Sequence, residues 1–211
     1  MKLYYSTNLN PRVAVAVARH LKSPLAFIRA SPRRPDTIET FKAINPNALV
    51  PVLEEDDGRR LWETDAIACR LSALAGSDFW RRDAAEPEMM QWVSWAAHHL
   101  NAAASVLYFE RLIRPTFSDV AAPPATVAEA AADVRANAVI LDAALADRTW
   151  LLGDTLSYAD FRVGTALPFA EGADLPLEGL GHLARWRSQL EAIDAWRAPF
   201  DGLSESGEGL R

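Results

Sequence analysis

The chain has 211 residues, half of them hydrophobic and 24% charged, with a formal net charge of -6. That size suits one large domain or two small ones with a self-sufficient core, and the acidic balance argues against a nucleic-acid partner, although Arg29, Arg33 and Arg34 could form a local basic patch. Cys69 is the single cysteine, which excludes an intrachain disulfide and a multi-cysteine zinc site and fits a reducing compartment such as the cytoplasm.

In chain order, residues 2–5 are a short apolar-aromatic run and predict a strand. No long apolar run follows Lys2, so no signal peptide is expected. Residues 6–10 are polar and turn-forming. Pro11 suits the first position of a helix capped by Asn10, with Val13, Val17 and Leu21 at helical spacing. The Val-Ala alternation at 13–18 could also be strand; the cap and the following Arg19-His20 favour helix. A second strand is expected at 25–29, a loop with two prolines at 30–36, and a short helix at 37–44 that stops before Asn45-Pro46. Residues 49–53 are apolar and interrupted by Pro51. Asp56-Asp57-Gly58 signals a hairpin, with a return strand at 60–62 and a helix from Glu63 to Leu74.

The order β-α-β-α-β-β-α over residues 1–77 matches a thioredoxin-like α/β domain. Residues 76–83 read as a linker. The rest, taken as a domain over 85–200, is helical in character: a long helix at 86–111, a proline-bearing loop at 113–124, an alanine-rich helix at 125–145, a helix at 158–169 and short helices near 180–190 and 193–196. The tail at 201–211 is expected to be loosely held. No stretch approaches the roughly 18 apolar residues of a membrane span, so no membrane partner is expected.

Two segments carry chemistry. In residues 45–53 (NPNALVPVL), Pro51 removes a ladder donor. It is either a plain edge-strand proline or a cis bond after Val50 that lets the Val50 backbone pair with an extended ligand. In residues 63–67 (ETDAI) a helix starts directly after a strand. Its orphan N–H groups attract a carboxylate, Thr64 adds a hydroxyl, and Glu63 or Asp65 could hold an ammonium. The plainer alternative is an acidic first turn complementing the helix dipole.

With the KLYYS start at 2–6, Arg12-Val13, these two segments and GDTLSYADF at 153–161, nearly the whole chain resembles the cytosolic glutathione transferases of bacterial type. The resemblance implies a thioredoxin-like domain followed by an all-helical domain, glutathione as co-substrate, and a homodimer. It makes Pro51 the cis-proline, Val50 the backbone partner of the cysteinyl part, and Glu63 and Thr64 the holders of the γ-glutamyl end. A basic residue in the loop 33–42 would meet the glycyl carboxylate. Ser157 and Asp160, spaced as a capping box, are assigned to folding.

The chain departs from the family at the thiol-activating position. Thr7 stands where serine is usual, beside Ser6, and Asn10 where the cysteine-bearing group has cysteine. Tyr5 matches a tyrosine of that group. A hydroxyl or amide donor can stabilise a thiolate, which makes Thr7 the first candidate and Asn10 the second. Cys69 reads as a buried small hydrophobe. Of His98 and His99 one is expected to pack and one to face a cleft; adjacent helical positions do not converge on a metal, and no metal is expected. Asn101 is a further site candidate, where the cysteine-bearing group has histidine. Trp92, Trp95, Tyr108 and Phe109 serve either as core or as an apolar electrophile pocket. The expected function is attack of a glutathione thiolate on an apolar electrophile. The alternatives are reduction of a mixed disulfide and non-catalytic glutathione binding.

Overall fold

A computed structural model describes residues 1–203. The chain forms two compact units, Met1–Trp80 joined by the chain from Asp194 onward, and Arg81–Ile193. Of the tail expected to be loose, residues 204–211 lie outside the described residues.

The first unit follows the expected element order: β1 (Lys2–Tyr5), α1 (Leu9–His20), β2 (Ala26–Arg29), α2 (Ile38–Lys42), β3 (Val52–Glu54), β4 (Arg60–Trp62) and α3 (Thr64–Leu74). The sheet runs β2-β1-β3-β4, with β1 parallel to β2 and antiparallel to β3, and β3 antiparallel to β4. The 56–58 turn works as its residues dictate. Gly58 takes φ +84°, which glycine adopts without strain, and Asp57 accepts the Arg59 N–H at 2.9 Å. Tyr4, Ala30, Phe41 and Val52 form a buried cluster, with the Tyr4 and Phe41 rings edge to face at 6.0 Å.

α1 begins two residues earlier than its proline suggested. Asn8 is the cap, and Asn10 and Pro11 lie within the first turn. Proline is tolerated there because those N–H groups have no helical acceptor, so its presence does not fix the exact start. Every residue from Pro11 to Ala18 is buried.

The second unit ends at Ile193, and α9 (Asp194–Arg197) packs with the first unit. Trp196 is fully buried there, and the buried Arg12 stacks its guanidinium 4.9 Å from the indole and donates to the Trp196 carbonyl.

The second unit is helical: α4 (Glu86–Trp95), α5 (Asn101–Tyr108), α6 (Pro124–Ala144), α7 (Tyr158–Val163) and α8 (Gly181–Glu191). The long helix expected at 86–111 is a helical path loosened by π turns at Ala96–Leu100 and Phe109–Ile113. Beyond α7 the chain tightens to a 3-10 turn, Gly164–Phe169, where Pro168 cannot donate a helical bond. Asp160, in the first turn of α7, is buried and accepts four hydrogen bonds, from Ser157 N–H and hydroxyl, Leu151 N–H and Trp186 Nε1. Burial pushes its carboxyl upward, against the pull of those donors. No helix among the described residues is long and apolar enough to cross a membrane.

Candidate functional site

Strand register gathers the candidate segments. Tyr4 pairs with Val52, and Val52 pairs with Trp62. The antiparallel order therefore brings three strand ends to one end of the sheet: the exit of β1 toward Ser6–Asn10, the entry of β3 after Val50-Pro51, and the exit of β4 into Glu63-Thr64.

The Val50-Pro51 peptide is cis. The loop that delivers it is shaped by Asn45, whose role the sequence reading missed. The buried Asn45 amide donates to the Leu49 carbonyl at 2.8 Å and accepts the Asn47 N–H at 3.0 Å, with Ala48 between them at φ +49°. An asparagine directly before a proline is the turn-forming signal that could have found it.

At the β4–α3 junction Glu63 is exposed and held at φ +73°, a backbone region costly for a side chain with a Cβ. The first helical bond runs from the Ile67 N–H to the Glu63 carbonyl at 3.0 Å. The N–H groups of Thr64, Asp65 and Ala66 thus precede the helical ladder and form the positive end of α3. Thr64 is 3% exposed, and its hydroxyl lies 3.2 Å from the Asn10 carbonyl, to which it donates. This bond ties the start of α3 to the first turn of α1.

Thr7 and Asn10 are both exposed, whereas the Ser6 hydroxyl oxygen is inaccessible and lacks a hydrogen-bond partner among the described residues. Tyr5 is buried, stacked on Phe200 at 5.7 Å and edge-on to Phe27 at 6.3 Å, and burial raises its phenol pKa. A phenol so placed packs as core. In the 33–42 loop, Arg34 forks onto Asp36 at 2.9 and 3.1 Å and Lys42 pairs with Glu39 at 2.7 Å, while Arg33 is exposed.

The remaining candidates separate. Cys69 is half-buried on α3. His98 and His99 are both exposed; the His98 Nδ1 lies 2.8 Å from the Ser94 carbonyl, and the His99 ring lies 6.4 Å from that of Trp95. Asn101 is buried and donates to the Arg162 carbonyl at 2.8 Å, within the helical unit. Trp92 packs edge-on to Trp95 at 5.3 Å and Tyr108 against Phe169 at 4.8 Å, while Phe109 is exposed.

Residues 14–74 match the family model of the glutathione S-transferase N-terminal domain, and residues 124–198 that of its C-terminal domain. The chain is 32% identical to glutathione S-transferase GstB of Escherichia coli (strain K12) over 161 residues, 74% of this chain and 76% of the relative. The chain belongs to the glutathione S-transferase family. Its fold is shared with human glutathione S-transferase T1-1 in the apo form, at a TM-score of 0.83, 24% identity and coverage of 95% and 87% of the two chains. A glutathione S-transferase-I bound with lactoylglutathione superposes at a TM-score of 0.81 with 20% identity, over 94% and 97%. The family's reach extends beyond transferases: human elongation factor 1-gamma is 29% identical over 75% of this chain, which spans 36% of that protein.

Proposed function

We propose that the chain is a glutathione transferase that uses glutathione as co-substrate and directs its thiolate at a small apolar electrophile. The observation that carries the reading is the register Tyr4–Val52–Trp62, which collects a helix start, a strand entry and a polar loop at one end of the sheet. Each suits one part of the tripeptide. The γ-glutamyl carboxylate takes the N–H groups at the start of α3 and Thr64. The cysteinyl backbone pairs with Val50, beside Pro51. The sulfur then comes to the 6–10 loop, where Thr7, or failing it Asn10, supplies the donor that keeps it ionised. Glu63 serves the γ-glutamyl ammonium, and Arg33 answers the glycyl carboxylate. The protein works in the cytoplasm as a homodimer, without a metal, a nucleic acid or a membrane as partner.

A second reading draws on the replacement of serine and cysteine by Thr7 and Asn10, and on the likeness to an elongation factor. In it the chain reduces mixed disulfides with glutathione, or binds glutathione without turnover. Steady-state rates with a model aryl halide and with a glutathione mixed disulfide separate the readings. Conjugation of the aryl halide supports transfer; disulfide reduction alone replaces it by the reductase; neither activity in a glutathione-binding protein leaves the non-catalytic reading.

A further inference from the structure

We propose that Glu55 is a positioning residue for the glutathione site, holding α3 at the angle at which its first turn meets the γ-glutamyl carboxylate; this rests on the glutathione-binding reading above. Glu55 follows β3, and its side chain is only 8% exposed. Arg70, on α3, grips both its oxygens, Nε to Oε1 at 2.9 Å and Nη2 to Oε2 at 2.7 Å. Arg59 Nη2 adds a contact of 2.8 Å to each. A two-point fork between planar groups fixes direction as well as distance.

Arg70 lies six positions beyond Thr64, which is about 9 Å along a helix. α3 is therefore pinned at two places, by the Thr64–Asn10 bond at its start and by the Glu55–Arg70 fork further along. The hairpin that carries Glu55 is itself braced. Glu54 accepts from Lys2 Nζ and Arg60 Nε, each at 3.0 Å, and Arg60 Nη1 donates to the Ala43 carbonyl at 2.8 Å. Glu55 lies past the Lys2–Glu54 end of the sheet, opposite the end where the site segments meet. It touches no ligand there and acts through the direction of α3, because an anion held by a helix start depends on where its few N–H groups point.

The test uses the full chain, with S-methylglutathione as an unreactive probe and hydrogen exchange as a second readout. Glu55→Gln is expected to raise the probe's Kd about fivefold or more, and Arg70→Lys, which keeps the charge and loses the fork, by less. In both variants amide exchange at residues 65–67 should quicken relative to residues 13–18; general destabilisation would move the two segments together. Unchanged Kd with an unchanged exchange ratio in Glu55→Gln overturns the proposal. If Glu55→Gln fails to fold, Arg70→Lys decides by the same two readouts. If the wild-type chain does not bind the probe, the glutathione reading falls, and the exchange ratio alone decides whether Glu55 positions α3.

Discussion

The Thr64 hydroxyl and the Asn10 carbonyl, 54 positions apart in sequence, lie 3.2 Å apart and join the starts of two helices. A hydroxyl has one proton, and in this arrangement Asn10 holds it. A ligand carboxylate at the start of α3 must either turn that hydroxyl toward itself or rely on backbone N–H groups. Thr64→Val should therefore do two things. It removes the hydroxyl's bond to the Asn10 carbonyl and costs about 1 kcal/mol of stability. It also weakens glutathione binding, by up to about tenfold if the hydroxyl turns to donate to the ligand. Urea unfolding and calorimetry on the same variant measure both. Lost stability with unchanged affinity would leave Thr64 a purely structural role.

The thiolate donor is decided by a different pair. Thr7→Ala should raise the pKa of the bound glutathione thiol while changing its affinity less, since a single hydrogen bond to the ionised sulfur is removed. An ultraviolet thiolate titration of the complex reads this. If Thr7→Ala leaves the pKa unmoved and Asn10→Ala raises it, the role passes to Asn10.

Acid should reveal the Glu55 clamp. Hydrogen bonds from Arg70, and then from Arg59, bring the Glu55 carboxyl down from 4.5 to about 2. A carboxylate depressed on folding contributes stability that is complete above its unfolded value and is lost as pH falls through its folded one. Its share of wild-type stability is thus present above about pH 4.5 and fades toward pH 2. Unfolding midpoints measured across that interval should fall less steeply for Glu55→Gln than for wild type. Identical slopes would show that the pair contributes nothing on folding.

Asp160 should be the most sensitive polar position in the helical unit. Its two oxygens accept four hydrogen bonds, one from the Trp186 indole. Asp160→Asn turns one acceptor into a donor facing donors, and should cost about 3 kcal/mol or more. Trp186→Phe removes one bond to the carboxylate and should cost about 1.5 to 3 kcal/mol. Equal stability of Asp160→Asn and wild type would contradict the assignment of this residue to folding.

Much of the first unit was legible because its signals are local. Alternating strand and helix periods, the 56–58 turn and Pro51 each act within a few residues, and the register that follows brings the strand ends together at one end of the sheet. What escaped depends on distant partners or on backbone choices that side chains do not announce. Nothing in the residue type of Glu63 foretells φ +73°. Pro11 is compatible with more than one position in a first turn, so α1 starts two residues before the point that its proline marks. The return of α9 to the first unit rests on Arg12 meeting Trp196, 184 positions away. The ion pair of Glu55 with Arg70 spans 15 positions and belongs to no periodic pattern.

Calorimetric titration of the full chain with glutathione, compared with cysteinylglycine, tests the central claim most directly. The two ligands differ by the γ-glutamyl group that the start of α3 is proposed to hold. Glutathione should bind at a single site per chain, and cysteinylglycine at least about tenfold more weakly, the loss of one charge-assisted hydrogen bond or more. Equal affinity for the two, or no binding of glutathione at millimolar concentration, would contradict it.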